Sequence, residues 1–182
     1  MKIILGTAHL KSTPGKCSPD KKLFEYKYSR ELVKAIYSIF KNMGYDVYID
    51  IEDEDLNIVT NQELRKRTSI VNTICDKYPD SIYVSIHVNA AGDGSKWMNA
   101  RGWECYTTKG NTKSDKLAEC LYKSAEKNLK NQTIRRDLTD GDSDKEADFY
   151  VIKNVKCPAV LTENFFMDNK EDVQYLLSDV GF

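Results

Sequence analysis

The sequence predicts an α/β fold of three layers, in which a twisted, mainly parallel sheet of about six strands has helices on both faces. Three short apolar runs, at 2–6, 81–87 and 158–162, have the composition of strands that are buried on both faces. Segments with apolar side chains on one helical face lie between such strands. This alternation of strands and helices favours a mainly parallel sheet.

In the first half of the chain, short apolar runs predict strands and one-sided apolar spacing predicts helices. Tyr28, Leu32 and Ile36 recur every four residues in the first helix. Gly44 separates that helix from the next strand. In chain order, the predicted elements are a strand at 2–6, a helix at 23–41, a strand at 46–51, a helix at 62–78 and a strand at 81–87.

The second half of the chain continues the alternation but contains a long polar stretch. Residues 131–148 show no apolar spacing and are predicted to form a loop, either a mobile lid or an ordinary surface segment. Leu117, Leu121 and Leu129 lie on one side of the preceding helix. In chain order, the predicted elements are a strand at 102–107, a helix at 114–129, strands at 149–152 and 159–162, and a helix at 172–177.

The composition excludes several classes of protein. The net charge is −1, and the lysine clusters are balanced by nearby acids, so neither nucleic acid nor an anionic membrane is an expected partner. None of the five cysteines stands in a CxxC pair, which disfavours a disulfide framework and a thiolate zinc site. No apolar stretch approaches the ~20 residues that span a bilayer, and no signal peptide is visible, so we expect synthesis in the cytoplasm.

Strands of the predicted sheet end beside side chains that can bind a metal ion or carry a proton. His9 follows the first strand, His87 ends the strand at 81–87, and Glu163 follows the last strand. Because ligands bind beyond the carboxyl ends of parallel strands, we expect these side chains to share a site. Glu25 lies in the first turn of the first helix, on its inward face, and is the fourth member of the set.

Two imidazoles and one carboxylate are the ligand set of a catalytic zinc centre that keeps a fourth position for water. Convergence of His9, Glu25 and His87 would supply that set. A zinc ion lowers the pKa of bound water, and Glu163 would take the proton from that water and pass it to a leaving amine. The spacings match no compact zinc motif, so structural histidines and ordinary capping or solvated glutamates stay open as alternatives.

The candidate residues belong to segments that span nearly the whole chain. The segments are 6–9, Glu25 at the start of a helix, 67–72, 85–90, 102–106 and 158–169. In this order they resemble the zinc-dependent N-acetylmuramoyl-L-alanine amidases of the type 3 class, which cut peptidoglycan between the lactyl group of the sugar and the stem peptide. The chain departs from the family at Ala8, Leu10 and Asn164, where glycine is usual.

The resemblance implies one zinc ion per chain, held by His9, Glu25 and His87, with Glu163 as the catalytic acid. The implied reaction is hydrolysis of the amide bond between N-acetylmuramic acid and L-alanine. Two alternatives are a zinc carboxypeptidase or aminopeptidase acting on short peptides, and a catalytically inactive peptidoglycan-binding module. Cleavage of the lactyl amide distinguishes the first alternative, and release of new amines distinguishes the second.

The length suits one domain, and no repeat or linker divides the chain. We therefore expect residues 1–182 to form a single catalytic amidase domain with no separate wall-binding domain. A chain without a leader that acts on the cell wall fits a released phage endolysin, and the second possibility is a host enzyme that lacks its leader. The sequence does not predict the oligomeric state or the preferred stem peptide.

Overall fold

The computed structural model describes residues 1–56 and 58–181. Asn57, between the predicted strand at 46–51 and the predicted helix at 62–78, and Phe182, the last residue of the predicted domain, lie outside the described residues. Eleven elements form within the described ranges. They are β1 (Lys2–Thr7), α1 (Glu25–Asn42), β2 (Asp46–Ile49), α2 (Thr60–Lys77), β3 (Ser81–Asn89), β4 (Glu104–Thr107), α3 (Lys113–Asn128), β5 (Lys145–Glu146), α4 (Tyr150–Lys153), β6 (Ala159–Phe166) and α5 (Lys170–Leu176).

The six strands form one sheet in the order β2-β1-β3-β6-β4-β5. Neighbouring strands from β2 to β6 are parallel, and β4 pairs with β5 in parallel. The contact between β4 and β6 is antiparallel. The prediction of a mainly parallel sheet of about six strands is therefore confirmed.

Helices cover both faces of the sheet, as the sequence predicts. On one face, α1, α3 and α5 bury an apolar core that includes Val33 and Tyr122. On the other face, α2 and α4 contribute Val71 and Ile152, which pack with Tyr83 of β3. None of the helices within the described ranges combines the length and the apolar character needed to cross a membrane.

The predicted strand at 149–152 is wrong, because this segment forms the single-turn helix α4. The N–H of Lys153 donates to the carbonyl of Phe149 at 2.9 Å, and the N–H of Asn154 donates to the carbonyl of Tyr150 at 3.1 Å. The sixth strand is instead β5, which lies inside the segment predicted as a polar loop. Strand β6 also continues four residues beyond its predicted end, so Glu163 lies within the strand.

The order of the strands brings the predicted site residues together. β3 lies between β1 and β6 and runs parallel to both, so the carboxyl ends of all three strands point the same way. His9 lies two residues beyond the end of β1, and His87 is paired in register with Glu163. The fold thus presents these side chains at the carboxyl ends of three neighbouring strands, as the sequence predicts.

Candidate metal centre and catalytic cleft

His9 lies in a short turn after β1 that three side chains hold in place. Its φ of 41° is in the left-handed region, which is unfavourable for a residue with a side chain. The N–H of Ala8 donates to Ser29 Oγ at 2.8 Å, and Arg30 donates to the Ala8 carbonyl at 2.9 Å. Arg67 Nη2 donates to the His9 carbonyl at 3.3 Å. These contacts hold the backbone from which the imidazole projects.

Glu25 is the first residue of α1, and its carboxylate points into the protein. Its backbone N–H donates to the Lys16 carbonyl at 3.0 Å, and only 1% of the residue is exposed. Oε1 accepts from the N–H of Val88 at 3.1 Å and lies 3.0 Å from Nδ1 of His87. Oε2 lies 3.5 Å from Nε2 of His9 and has no hydrogen-bond partner among the described residues.

The side chains of His9, Glu25 and His87 form a compact donor set. One ligand atom from each lies within 4.8 Å of the other two. The two imidazole rings meet edge to face, with centroids 5.2 Å apart. An unpartnered buried carboxylate oxygen beside two imidazoles fits a divalent cation, because a buried charge of this kind is otherwise costly. The set has the donor chemistry that zinc prefers.

Burial and neighbouring charges put two members of the set in metal-binding forms. Burial lowers the pKa of His9 to about 3, although the Glu25 carboxylate acts in the opposite direction. Burial raises the pKa of Glu25, but its close contact with His87 and the charge interaction with His9 outweigh burial and leave that pKa below its usual value. A neutral imidazole and an ionised carboxylate are the forms that coordinate metals.

Glu163 faces the same site from β6. Its Oε2 is buried and has no hydrogen-bond partner within the described part of the chain. Burial raises the pKa of Glu163 well above its usual value, and the Glu25 and Glu104 carboxylates act in the same direction. The side chain thus has a higher proton affinity than an ordinary glutamate, and it lines the same cavity as the donor set.

A cavity of about 390 Å³ joins these groups in one cleft. All four predicted residues line it. Lys16 and the exposed aromatic residues Phe149 and Tyr150 line it as well, and the sequence did not single them out. Lys16 lies in a loop without a recognisable pattern, and the two aromatic residues fall in the segment that was predicted as a strand.

Glu104 is a buried residue beside the cleft that sequence reasoning missed. It lies opposite Glu163 on the antiparallel strand β4 and is 1% exposed. Its carboxylate accepts from Asn89 Nδ2 at 2.6 Å and from the Tyr106 hydroxyl at 2.8 Å. Arg135 Nε at 2.7 Å neutralises its charge, together with a lysine of β5. Glu104 falls in the segment 102–106 that carries part of the family resemblance, but nothing in the sequence assigned it a role.

Comparisons with known proteins agree on one family. The sequence profile of the N-acetylmuramoyl-L-alanine amidases matches residues 3–181. A curated relative, the endolysin of Bacillus phage SPP1, is 32% identical over 101 residues. That match covers 54% of this chain and 33% of the endolysin, so the chain spans about a third of the length of this relative.

Solved structures with a similar fold include two bacterial amidases. The CwlD amidase from Clostridioides difficile, solved in complex with the GerS lipoprotein, has a TM-score of 0.75 and 23% identity, covering 97% of this chain and 88% of that chain. The catalytic domain of CwlV, an N-acetylmuramoyl-L-alanine amidase from Paenibacillus polymyxa, has a TM-score of 0.76 and 20% identity, covering 98% of this chain and 87% of that chain. At these identities the likeness shows a shared fold.

Proposed function

Because the chain belongs to the N-acetylmuramoyl-L-alanine amidase family, we propose that it hydrolyses the amide bond between N-acetylmuramic acid and L-alanine of peptidoglycan. One zinc ion per chain is held by His9, Glu25 and His87. The observation that carries this proposal is the convergence of one ligand atom from each residue within 4.8 Å. Three protein ligands leave a fourth coordination position for water or substrate, as catalytic zinc sites require.

In this proposal the metal ion activates water and the carbonyl group, and the protein ligands hold the ion. When bound, zinc at such a site lowers the pKa of water and polarises a carbonyl oxygen. Glu25 supplies the negative charge that holds the cation, and its burial keeps that charge away from bulk water. The His9 imidazole is neutral because of its lowered pKa, so it offers a lone pair rather than a competing positive charge.

Glu163 is the proton-transfer group in this proposal. Its buried Oε2 has no competing hydrogen bond within the described residues, so it is available to receive the proton of the attacking water. The same carboxyl then delivers that proton to the nitrogen of the departing L-alanine. A carboxyl with a raised pKa suits both steps, because it takes up a proton more readily than an ordinary glutamate and can then pass it to a more basic amine nitrogen.

The walls of the cleft combine apolar and polar side chains. Leu64, Phe149 and Tyr150 line one part of the cavity, and Lys16 lines it together with the donor set. An apolar wall with a few convergent polar groups is typical of a small-molecule site. This arrangement suits a substrate that presents both a sugar face and a short peptide.

The same proposal extends to the biological setting. We propose that residues 1–182 are a catalytic amidase domain that acts on the bacterial cell wall in the manner of a phage lysis enzyme. The endolysin of Bacillus phage SPP1 supports this setting as a relative. Peptidoglycan is the proposed partner.

The test combines metal analysis with identification of the products. The purified protein should contain about one zinc per chain. Mass spectrometry of digested wall fragments should show intact glycan and intact stem peptide, with a new amino terminus on L-alanine. Cleavage inside the stem peptide would support a peptidase instead, and binding to the wall without new amines would contradict an enzymatic role.

A further inference from the structure

A line of buried hydrogen-bonding side chains leads from His87 to Asp50. His87 Nε2 lies 3.2 Å from Ser85 Oγ, and Ser85 is fully buried. Burial raises the pKa of the Tyr83 phenol, and the Ser85 hydroxyl acts in the opposite direction, as a donor to the phenol oxygen does. The Tyr83 hydroxyl in turn donates to Asp50 Oδ2 at 2.9 Å. Residues 83, 85 and 87 share one face of β3, so the sheet itself sets the spacing of this line.

The Asp50 carboxylate at one end of this line determines which group donates in each hydrogen bond. Arg67 Nη1 lies 2.9 Å from both oxygens of Asp50, so this carboxylate is paired and acts only as an acceptor. Tyr83 must therefore donate its hydroxyl proton to Asp50. The phenol oxygen is then free to accept from Ser85, and Ser85 Oγ is free to accept from the imidazole of His87.

We infer that Ser85 is a positioning residue that fixes the ring tautomer of His87, with the proton on Nε2 and the lone pair on Nδ1. A neutral imidazole carries only one N–H, so donation from Nε2 leaves Nδ1 as an acceptor. Nδ1 is the nitrogen that faces the donor set, 3.0 Å from Glu25 Oε1. Two acceptors at this separation repel each other unless a cation lies between them, which is the arrangement that the proposed zinc site needs.

This inference rests on the proposed metal site. It adds that zinc binding also requires Ser85, which is not itself a ligand. Without Ser85, the ring is free to place its proton on Nδ1 and donate to Glu25. Zinc would then bind only after the ring changes tautomer. Groups that orient a metal-binding histidine in this way commonly contribute about 10- to 100-fold to metal affinity.

The experiment measures zinc affinity by competition with a chelator, in the parent and in Ser85→Ala. Ser81→Ala is the matched control, because Ser81 is equally buried on the same face of β3 and donates its hydroxyl to the Tyr78 carbonyl at 2.6 Å. We expect Ser85→Ala to bind zinc about 10- to 100-fold more weakly than the control. Ser85→Thr keeps the hydroxyl and should restore the affinity.

Nitrogen NMR of the His87 ring in the metal-free protein gives a second readout. The parent should carry its proton on Nε2, and Ser85→Ala should shift the population toward Nδ1. Tyr83→Phe keeps the serine but frees its hydroxyl to turn toward the ring, so it should weaken zinc binding as well.

The outcomes separate this inference from the proposed function. A parent that binds no zinc would overturn the metal site itself. If the parent binds zinc and Ser85→Ala leaves the affinity unchanged, the role of Ser85 alone is overturned. The same holds if Ser81→Ala lowers the zinc affinity as much as Ser85→Ala does. A ring protonated on Nδ1 in the parent would overturn it too.

Discussion

At the scale of single residues, the proposed site includes a carboxyl oxygen that is kept out of water and has no hydrogen-bond partner among the described residues. Glu163 Oε2 makes no hydrogen bond within the described residues, whereas Glu104, its neighbour on β4, is neutralised by Arg135 and by Lys145. Two buried acids side by side thus have different surroundings. The unpaired one is suited to gain and lose a proton, and the paired one is suited to stay ionised.

Glu163→Gln tests the proposed role of this carboxyl. The amide keeps the shape of the side chain but cannot take up a proton, so hydrolysis should fall by about 10²- to 10⁴-fold. Zinc content should stay near that of the parent, because Glu163 lies outside the donor set. Release of new amino termini from wall fragments and metal analysis of the same sample are the measurements. Loss of zinc together with activity would reassign Glu163 as a ligand.

Asp144 provides a pH-dependent contribution to stability away from the site. The residue is 2% exposed and accepts from Thr107 Oγ1 at 2.6 Å. Burial, with the Asp142 and Asp115 carboxylates nearby, raises its pKa to about 6. The folded protein therefore holds this proton more tightly than the unfolded chain does, so the stabilisation present at low pH is lost as the pH rises through about 6.

Asp144→Asn should remove that dependence, because the amide is neutral at every pH. The free energy of unfolding, measured by denaturant titration between about pH 4 and pH 7, should fall less steeply with rising pH in the variant than in the parent. Identical slopes would show that Asp144 does not bind its proton more tightly in the folded state.

The sequence predicted the residues of the donor set better than it predicted the residues that surround them. The chain has only two histidines, and each is placed at the end of a buried strand, so their meeting followed from sheet topology. Ser85 could not be predicted to contact His87, because a serine in a strand carries no signal of its partner. The position of Lys16 at the cleft could not be predicted either, because only the folded loop brings it there.

At the scale of elements, the errors fall where an element is very short. The run at 149–152 contains two β-branched residues and was predicted as a strand. The helical turn instead buries Val151 and Ile152 in a core cluster with Val71 of α2. Asn72, also on α2, holds the residues just after the turn: its Nδ2 donates to the carbonyl of Asn154, and its Oδ1 accepts from the N–H of Lys156. These contacts span about 80 residues of sequence, which local propensity cannot encode.

The start of α3 offers a test at this scale. Thr112 Oγ1 accepts from the N–H of Ser114 at 3.0 Å, and Asp115 accepts in return from the N–H of Thr112. Thr112→Ala removes this cap and should lower the free energy of unfolding by about 1 kcal/mol. Thr112→Ser keeps the oxygen and should stay close to the parent in the same denaturant titration. Equal loss in both variants would attribute the effect to packing of the methyl group.

At the scale of the whole molecule, the proposed metal site joins parts of the chain that are far apart in sequence. Its donors come from the end of β1, the start of α1 and the end of β3, and Glu163 comes from β6. An ion bound there would connect the centre of the sheet to the helix layer on one face. Because such a site does not exist in the unfolded chain, binding of the ion should add directly to the stability of the fold.

Zinc should therefore raise the thermal midpoint of the metal-free protein. At a free zinc concentration about 100 times the dissociation constant, the expected stabilisation is about 2.7 kcal/mol. His87→Ala removes one ligand, so its midpoint should respond much less to the same addition, and a chelator should reverse the shift in the parent. Differential scanning calorimetry at several zinc concentrations measures both proteins. An equal shift in His87→Ala would mean that the stabilising ion binds elsewhere, because two remaining ligands cannot hold zinc as tightly as three.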